Sequence, residues 1–497
     1  GSANELGQLN PFRTTVSLAV WPPVMDVLIA LERRFRRDRL LTDKASRLAY
    51  DCDGFPLHRH EPIAIVLAET SDDVRDAVRI CNEHGTAFVA RGAGTGLSGG
   101  ATPGERPTLV IATAAMRKIL RVDVDDRVAV VQPGVINLDL SLAIAATGLC
   151  FAPDPSSQKA CTLGGNVAEN SGGPHCFKYG MTTDHVVGLT IVTADGDVRR
   201  LREGDGPDLL GLVTGHEGTF GIVTEIELRL VPTAAKVRTW LAAYRDMDSA
   251  CRAVTRIVSS GVVPAALEIL DDVTIRAVEA SVYAAGYPQD AAAVLLVEVD
   301  GSEVAVASEA TIIEALLAEE PALSLEATED PAQRARLWKG RKGAFGAMGR
   351  LAPDLYVLDG VVPRSKLEDV LREIKTIGEQ YEVVLSNVFH AGDGNLHPNL
   401  SFDGRDPVQR ARALEAGREI LALCVRCGGS ISGEHGVGSE KLEHMPFMFS
   451  DTDIEVFRSV KACFDPRELC NPRKAIPTGA SCKEGASAKA PGVLGVH

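Results

Sequence analysis

The chain has 497 residues, 45% hydrophobic and 24% charged, so it is long enough for several cores and too apolar to stay disordered. Its formal net charge of -15 makes it a poor partner for nucleic acid or an anionic membrane surface, while leaving room for a locally basic pocket. Eleven cysteines without a disulfide framework fit a reduced, cytosolic protein, and no apolar run reaches the roughly 18 residues of a membrane span.

Gly1-Ser2 reads as a tag scar and is set aside. Residues 1–55 are expected to be helical, with apolar positions at helical spacing over 24–37. A first domain is expected over 56–234. It opens with a strand at 62–67 and a helix starting at Thr70-Ser71-Asp72-Asp73, with Val74, Ala77, Val78 and Cys81 on one face. Gly85 stops that helix, and a strand at 87–90 follows. Further strands fall at 109–112 and in two hairpins, 119–124 with 127–132 and 189–193 with 198–201, the second turning at Asp195-Gly196. Over 222–230, Ile222, Thr224, Ile226, Leu228 and Leu230 alternate with Glu225, Glu227 and Arg229, which predicts a half-buried strand ended by Pro232. From 235 to 477, strands at 293–298, 355–361 and 383–389 alternate with amphipathic helices at 365–381 and 407–427, an α+β second domain. Residues 478–497, rich in Gly, Ala, Ser and Lys, are expected to be a mobile tail. Cys424 and Cys427 form one CxxC without a second pair, so two packed thiols at a helix end are expected.

Five glycines between Arg91 and Gly100 expose a row of backbone N–H groups suited to a diphosphate. No Gly-Lys-Ser/Thr follows, and the loop runs into another strand, so neither a Walker nor a Rossmann site is expected. Taken alone, the loop is equally well read as mobile glycine-rich backbone. Two further blocks follow: Pro153-Asp154-Pro155-Ser156-Ser157 leading into Thr162–Gly173, and Gly215-His216-Glu217-Gly218-Thr219-Phe220-Gly221-Ile222-Val223. Together the three resemble the FAD-binding domain of the vanillyl-alcohol oxidase / p-cresol methylhydroxylase superfamily. The resemblance implies a PCMH-type two-domain fold and cofactor contacts in three groups. The first is Arg91, Gly92, Gly94, Thr95, Gly96, Leu97, Ser98 and Gly99. The second is Pro153, Asp154, Thr162, Gly164, Gly165, Asn166, Ala168, Glu169, Asn170 and Gly172. The third is Glu217, Gly221, Ile222 and Val223. Some relatives hold FAD through a His in the first loop; that loop has no His or Cys here, so non-covalent FAD is expected. His175 and Cys176 are not expected to be linkage sites, and His216 stands where relatives often carry a small residue.

In the second domain, His390 ends an apolar strand, Gly392-Asp393-Gly394 turns, and 396–400 returns, which brings His390 and His397 within reach of each other. Two facing imidazoles suit a transition metal or hydrogen-bonded loop caps equally; Gly433-Glu434-His435-Gly436 adds a carboxylate and favours the metal. These blocks resemble the C-terminal domain of the D-lactate, D-2-hydroxyglutarate and glycolate dehydrogenase branch, with Pro472–Pro477 matching its closing motif. The resemblance implies a divalent metal (Zn, Mn or Fe) on His390, His397 and Glu434, and His435 as base. It also places Arg341 on the substrate carboxylate, Asn399 on substrate and Asn471 on the flavin. Without the motif, Arg341 would read as a surface cation on a helix. Tyr356-Val357-Leu358 stands where the hydroxyglutarate enzymes carry a further Lys, which favours a monocarboxylate.

The expected activity is oxidation of glycolate or D-lactate to the 2-oxo acid, with hydride passing to the flavin. A second FAD subunit, an iron–sulfur subunit or a quinone-linked acceptor is the expected electron partner, and a homodimer is compatible. Such partners would place a cytoplasmic protein at the periphery of the inner membrane. Rival readings are a D-2-hydroxyglutarate dehydrogenase, an alkyl-glycerone-phosphate synthase type and a non-catalytic FAD subunit of a larger dehydrogenase. The intact histidine and acid blocks argue against the last two.

Overall fold

The Thr70 hydroxyl accepts a hydrogen bond from Asp73 N while the Asp73 carboxylate accepts one from Thr70 N, and this capping box starts the helix Ser71–His84. The helix buries Val74, Ala77, Val78 and Cys81, and ends at Gly85, whose φ of +61° suits a residue without Cβ. The computed structural model, which describes residues 24–477, sets this helix against a four-stranded sheet. In that sheet Ala64–Leu67, Thr108–Ala112 and Ala87–Arg91 run parallel, with Leu40–Leu41 antiparallel at one edge. The helical segment expected over 1–55 is helical only at Val24–Arg34 and Lys44–Leu48 among its described residues, because Leu40–Leu41 is taken into the sheet as its edge strand; residues 1–23, with Gly1-Ser2, and the tail 478–497 lie outside the described residues.

A five-stranded antiparallel sheet follows, in the order Ile119–Asp123, Val128–Val131, Gly221–Arg229, Val186–Thr193 and Val198–Arg202. The strand Gly221–Arg229 departs from simple alternation. Glu227 stays on the face opposite the core residues Ile226 and Leu228, where Arg200 and Arg202 of the edge strand pair with it and cover it. The strand lies at the centre of the sheet, so both its edges are paired, and only Arg229 of its residues is exposed.

The second domain is built on a nine-stranded sheet. Its strands Lys236–Tyr244, Ala266–Asp271 and Ala293–Gly301 are almost wholly buried because both faces are clad. Trp240, Ala242 and Tyr244 pack with the helices Met247–Ser259 and Glu303–Ala318, while Leu241 and Ala243 pack with Asp272–Glu279 and Pro331–Met348. The expected strand at 355–361 is broken in two. Asp354–Val357 pairs with Pro398–Phe402, and Gly360–Val361 pairs with Asn395–Leu396, leaving Leu358 and Asp359 at the break. No helix among the described residues is long and apolar enough to cross a membrane.

Candidate active site

A cavity of about 540 Å³ joins the two domains. On one side it is lined by Arg91, Gly92, Gly94, Thr95, Gly96 and Leu97. Thr162, Gly164, Gly165, Asn166, Ala168 and Glu169 continue that wall, and Glu217, Gly221, Ile222 and Val223 complete it. On the other side stand Arg341, Lys342, Phe345, His390, His397, Glu434 and His435. The glycines earn their place sterically: a Cβ on Gly92 would lie 2.2 Å from Thr162 Oγ1, and Gly94 has a φ of +70°. Arg91 shapes the loop from behind by donating from Nη1 to Cys52 O at 2.7 Å.

Several predicted contacts stand behind this wall instead of on it. Ser98 O accepts from Ser439 N and Glu440 N, and Gly99 O accepts from Lys474 Nζ. Pro153 O accepts from Asn137 Nδ2, Asp154 pairs with His175 and Lys342, and Asn170 Oδ1 accepts from Thr183 N. Gly172 lies against Cys176 and Glu434. Asn471 donates to Gly100 O and Glu217 O, fastening the first and third blocks together. Asn399 donates to His397 O and Ser386 O, so its amide supports the histidine strand.

The hairpin after the strand Val384–His390 pairs His390 with Asn395, and the rings of His390 and His397 lie 5.1 Å apart. Their Nε2 atoms each stand 3.2 Å from Glu434 Oε1. His390 Nδ1 donates to Glu268 Oε1 at 2.7 Å and His397 Nδ1 to Leu358 O at 3.2 Å, which turns both Nε2 atoms toward Glu434. Asp359 fixes the opposing loop. Its Oδ2 accepts from Gly433 N, Glu434 N, His435 N and Ser432 Oγ at 2.7–3.1 Å, and Lys441 Nζ stands 3.4 Å away. Two acid–histidine groups are close enough to share an ion, Asp359-His397-His435 and His390-His397-Glu434. The backbone of the 433–435 loop already occupies Asp359, so the second group is the one with a carboxylate to offer. Two imidazole nitrogens and one oxygen, with positions left open, fit a divalent cation in a catalytic arrangement.

Burial opposes charge throughout the site, and the neighbours decide the outcome. Burial pushes Glu434 up, yet its bonds to His390 and His397 hold it well below the usual carboxylate range. Burial pushes His390 down, and Glu268 and Glu434 lift it well above an ordinary imidazole. His435 lacks such a partner at hydrogen-bond distance. Burial pushes it down to about 4, its Nδ1 has no hydrogen-bond partner, and it stacks on His397 at 4.9 Å. Arg341 is fully buried: Nε donates to Glu268 Oε2 at 2.6 Å, Nη2 stands 2.5 Å from the same oxygen as an ion pair, and neither Nη1 nor Nη2 has a hydrogen-bond partner.

Glu268, Asp359 and Lys441 are the functional neighbours that motif reading misses. Glu268 and Asp359 carry a signal in retrospect, each a lone acid inside an apolar run, but nothing local says whom they face. Lys441 carries no such signal.

Residues 62–202 match the model of an FAD binding domain, and residues 233–475 that of the FAD linked oxidases, C-terminal domain. The glycolate oxidase subunit GlcD of Escherichia coli (strain K12) is 44% identical over 462 residues, 92% of each chain. GlcD of Bacillus subtilis (strain 168) is 39% identical, covering 88% of this chain and 93% of its own. A D-lactate dehydrogenase of Archaeoglobus fulgidus is 32% identical over 84% of this chain and 92% of its own. A p-cresol methylhydroxylase structure superposes with a TM-score of 0.79 at 17% identity, covering 91% of this chain and 97% of its own, which shows the shared fold. A matching cofactor domain, a matching oxidase domain and near full-length similarity place this chain in the family of FAD-linked oxidases that includes glycolate oxidase subunit GlcD and D-lactate dehydrogenase.

Proposed function

We propose that the chain oxidises a small D-2-hydroxy acid, glycolate or D-lactate, to the 2-oxo acid, with non-covalent FAD and a divalent cation at His390, His397 and Glu434. The observation that carries this reading is the single cavity that joins the three glycine blocks to Arg341, the His390-His397-Glu434 group and His435. Bound FAD supplies the acceptor for the C2 hydrogen and its electron pair. A bound cation supplies Lewis acidity, which lowers the pKa of the hydroxyl.

The protein's own groups do the rest. Arg341 offers an unpartnered guanidinium edge to the carboxylate and is kept rigid by Glu268. His435 is unprotonated near neutral pH and takes the hydroxyl proton. Asp359 holds its backbone N–H, and that of Glu434, in one orientation. Tyr356 and Leu358 are packed into the core, and the Lys342 ammonium is held by Asp154, so none of these positions offers a cation to a second, distal carboxylate. That favours a monocarboxylate over 2-hydroxyglutarate. The absence of His and Cys from the 91–100 loop supports a non-covalent cofactor. Electrons leave to partner subunits or a quinone-linked acceptor, a reading supported by relatives named as subunits.

The test is an anaerobic screen of both enantiomers of 2-hydroxy acids with an artificial acceptor. Glycolate and D-lactate should bleach the flavin, while L-lactate and D-2-hydroxyglutarate should do so far more slowly. Preference for L-lactate or for the dicarboxylate would overturn the assignment.

A further inference from the structure

His175 follows the second glycine block, and the mechanism above does not use it. It lies on the seam between the domains. Its Nδ1 stands 2.9 Å from Asp154 Oδ2 and its Nε2 3.2 Å from Glu298 Oε1. Asp154 belongs to the 153–157 loop, whose Pro155, Ser156 and Ser157 line the cofactor side of the cavity. Glu298 belongs to the strand Ala293–Gly301 of the other domain. The helix Pro331–Met348 is fastened to the same two acids. Arg334 pairs with both oxygens of Glu298 at 2.6 and 2.7 Å, Trp338 Nε1 donates to Glu298 Oε2 at 2.8 Å, and Lys342 Nζ meets Asp154 Oδ2 at 2.7 Å. Arg341 immediately precedes Lys342 on that helix.

We propose that His175 is a positioning residue, a two-ended clasp that fixes the 153–157 loop against the helix carrying Arg341. This rests on the proposed hydroxy-acid chemistry only for the role given to Arg341. Both ring nitrogens face carboxylate oxygens, so both must donate, and only the imidazolium has two donors. The groups facing the ring are Asp154 from the loop, Glu298 from the strand and Trp338 from the helix, and the helix cations Arg334 and Lys342 stand behind them on the two acids. Burial pushes the ring down, yet the two acids raise it to about 10. Trp338 lies 5.4 Å from the imidazole, close enough for its π face to favour the cation. A second bridge reinforces the seam: on the short helix after His175, Lys178 and Tyr179 pair with Asp300, two residues beyond Glu298 on the same face of its strand.

The functional consequence follows from geometry. The loop sets one boundary of the cofactor, and Arg341 sets the carboxylate that orients C2. A small error in their separation misplaces the reacting atoms, and displacements near 1 Å cost roughly a hundredfold in rate.

The experiment compares the parent with His175→Gln, which can donate from only one end, and His175→Lys, which keeps the charge and several donors. Each is measured for FAD dissociation constant, hydroxy-acid KM and anaerobic flavin reduction. For His175→Gln, FAD binding should weaken by roughly threefold or more, as for one lost hydrogen bond. Its kcat/KM should fall by roughly tenfold or more, with KM raised. His175→Lys should recover most of both losses. A folded His175→Gln within twofold of the parent on both measures overturns the proposal, as does a His175→Lys no better than the Gln variant. If no hydroxy acid reduces the parent flavin, the substrate assignment fails by itself, and the FAD constant alone decides the clasp. Should neither variant fold, ¹⁵N NMR of the parent at pH 8 decides: two protonated ring nitrogens on His175 support the clasp, and a neutral ring refutes it.

Discussion

Replacing Glu268 by Gln removes one charge without changing side-chain size, and the structure sets the cost. Glu268 is fully buried and accepts from two partners, Arg341 Nε at 2.6 Å and His390 Nδ1 at 2.7 Å, with Arg341 Nη2 also in ion-pair contact. A glutamine has one carbonyl oxygen and one amide, so at least one partner would meet an N–H instead of an acceptor. If that partner is Arg341, a buried guanidinium loses its counter-ion, which costs about 3–5 kcal/mol of stability. If it is His390, the tautomer that directs Nε2 to Glu434 is no longer enforced, and metal affinity should fall about 10- to 100-fold. The assay is chemical denaturation of the FAD-loaded protein together with metal affinity by chelator competition. Either a lowered denaturation midpoint or a weakened metal is expected. A variant that matches the parent in both would falsify the pairing and the cation site built on it.

Acid precipitation should release all yellow colour to the supernatant, because the 91–100 loop contains no His or Cys to carry a flavin link; colour retained in the pellet refutes this. Elemental analysis of active protein never exposed to chelator should find one divalent metal per chain, and a metal-free active enzyme would remove the cation from the mechanism. His435→Ala should slow flavin reduction by about a hundred- to ten-thousand-fold while FAD and metal contents stay near the parent's. Reduction within a few-fold of the parent means another group takes the proton, and a parallel loss of metal means the ring only supports the loop. Finally, His175 is raised from 6.5 to about 10, so its stabilising contribution is complete below pH 6.5 and gone above about pH 10. The difference in urea midpoint between the parent and His175→Gln should therefore narrow steadily from pH 6.5 to 10. A constant difference would mean that the ring is not charged in the folded protein.

Local rules carried the sequence a long way. The capping box at Thr70, the stop at Gly85 and the Asp195-Gly196 turn depend on neighbours within four residues, and each stands where its chemistry requires. Gly94 and Gly99 were legible for the same reason, since backbone at a φ of +70° or +79° disfavours a Cβ through its own local sterics. The meeting of His390 and His397 was also legible, because a short hairpin fixes its own register. Contacts set by long separations were not. Glu268 reaches His390 across 122 positions, Asp359 holds a loop 74–76 positions away, and His175 meets Glu298 across 123. A buried acid in an apolar strand shows in the sequence only as an exception to the hydrophobic pattern. Which cation or N–H makes its burial tolerable is decided by sheet order and domain docking, because a desolvated charge must find its partner wherever the tertiary fold delivers one.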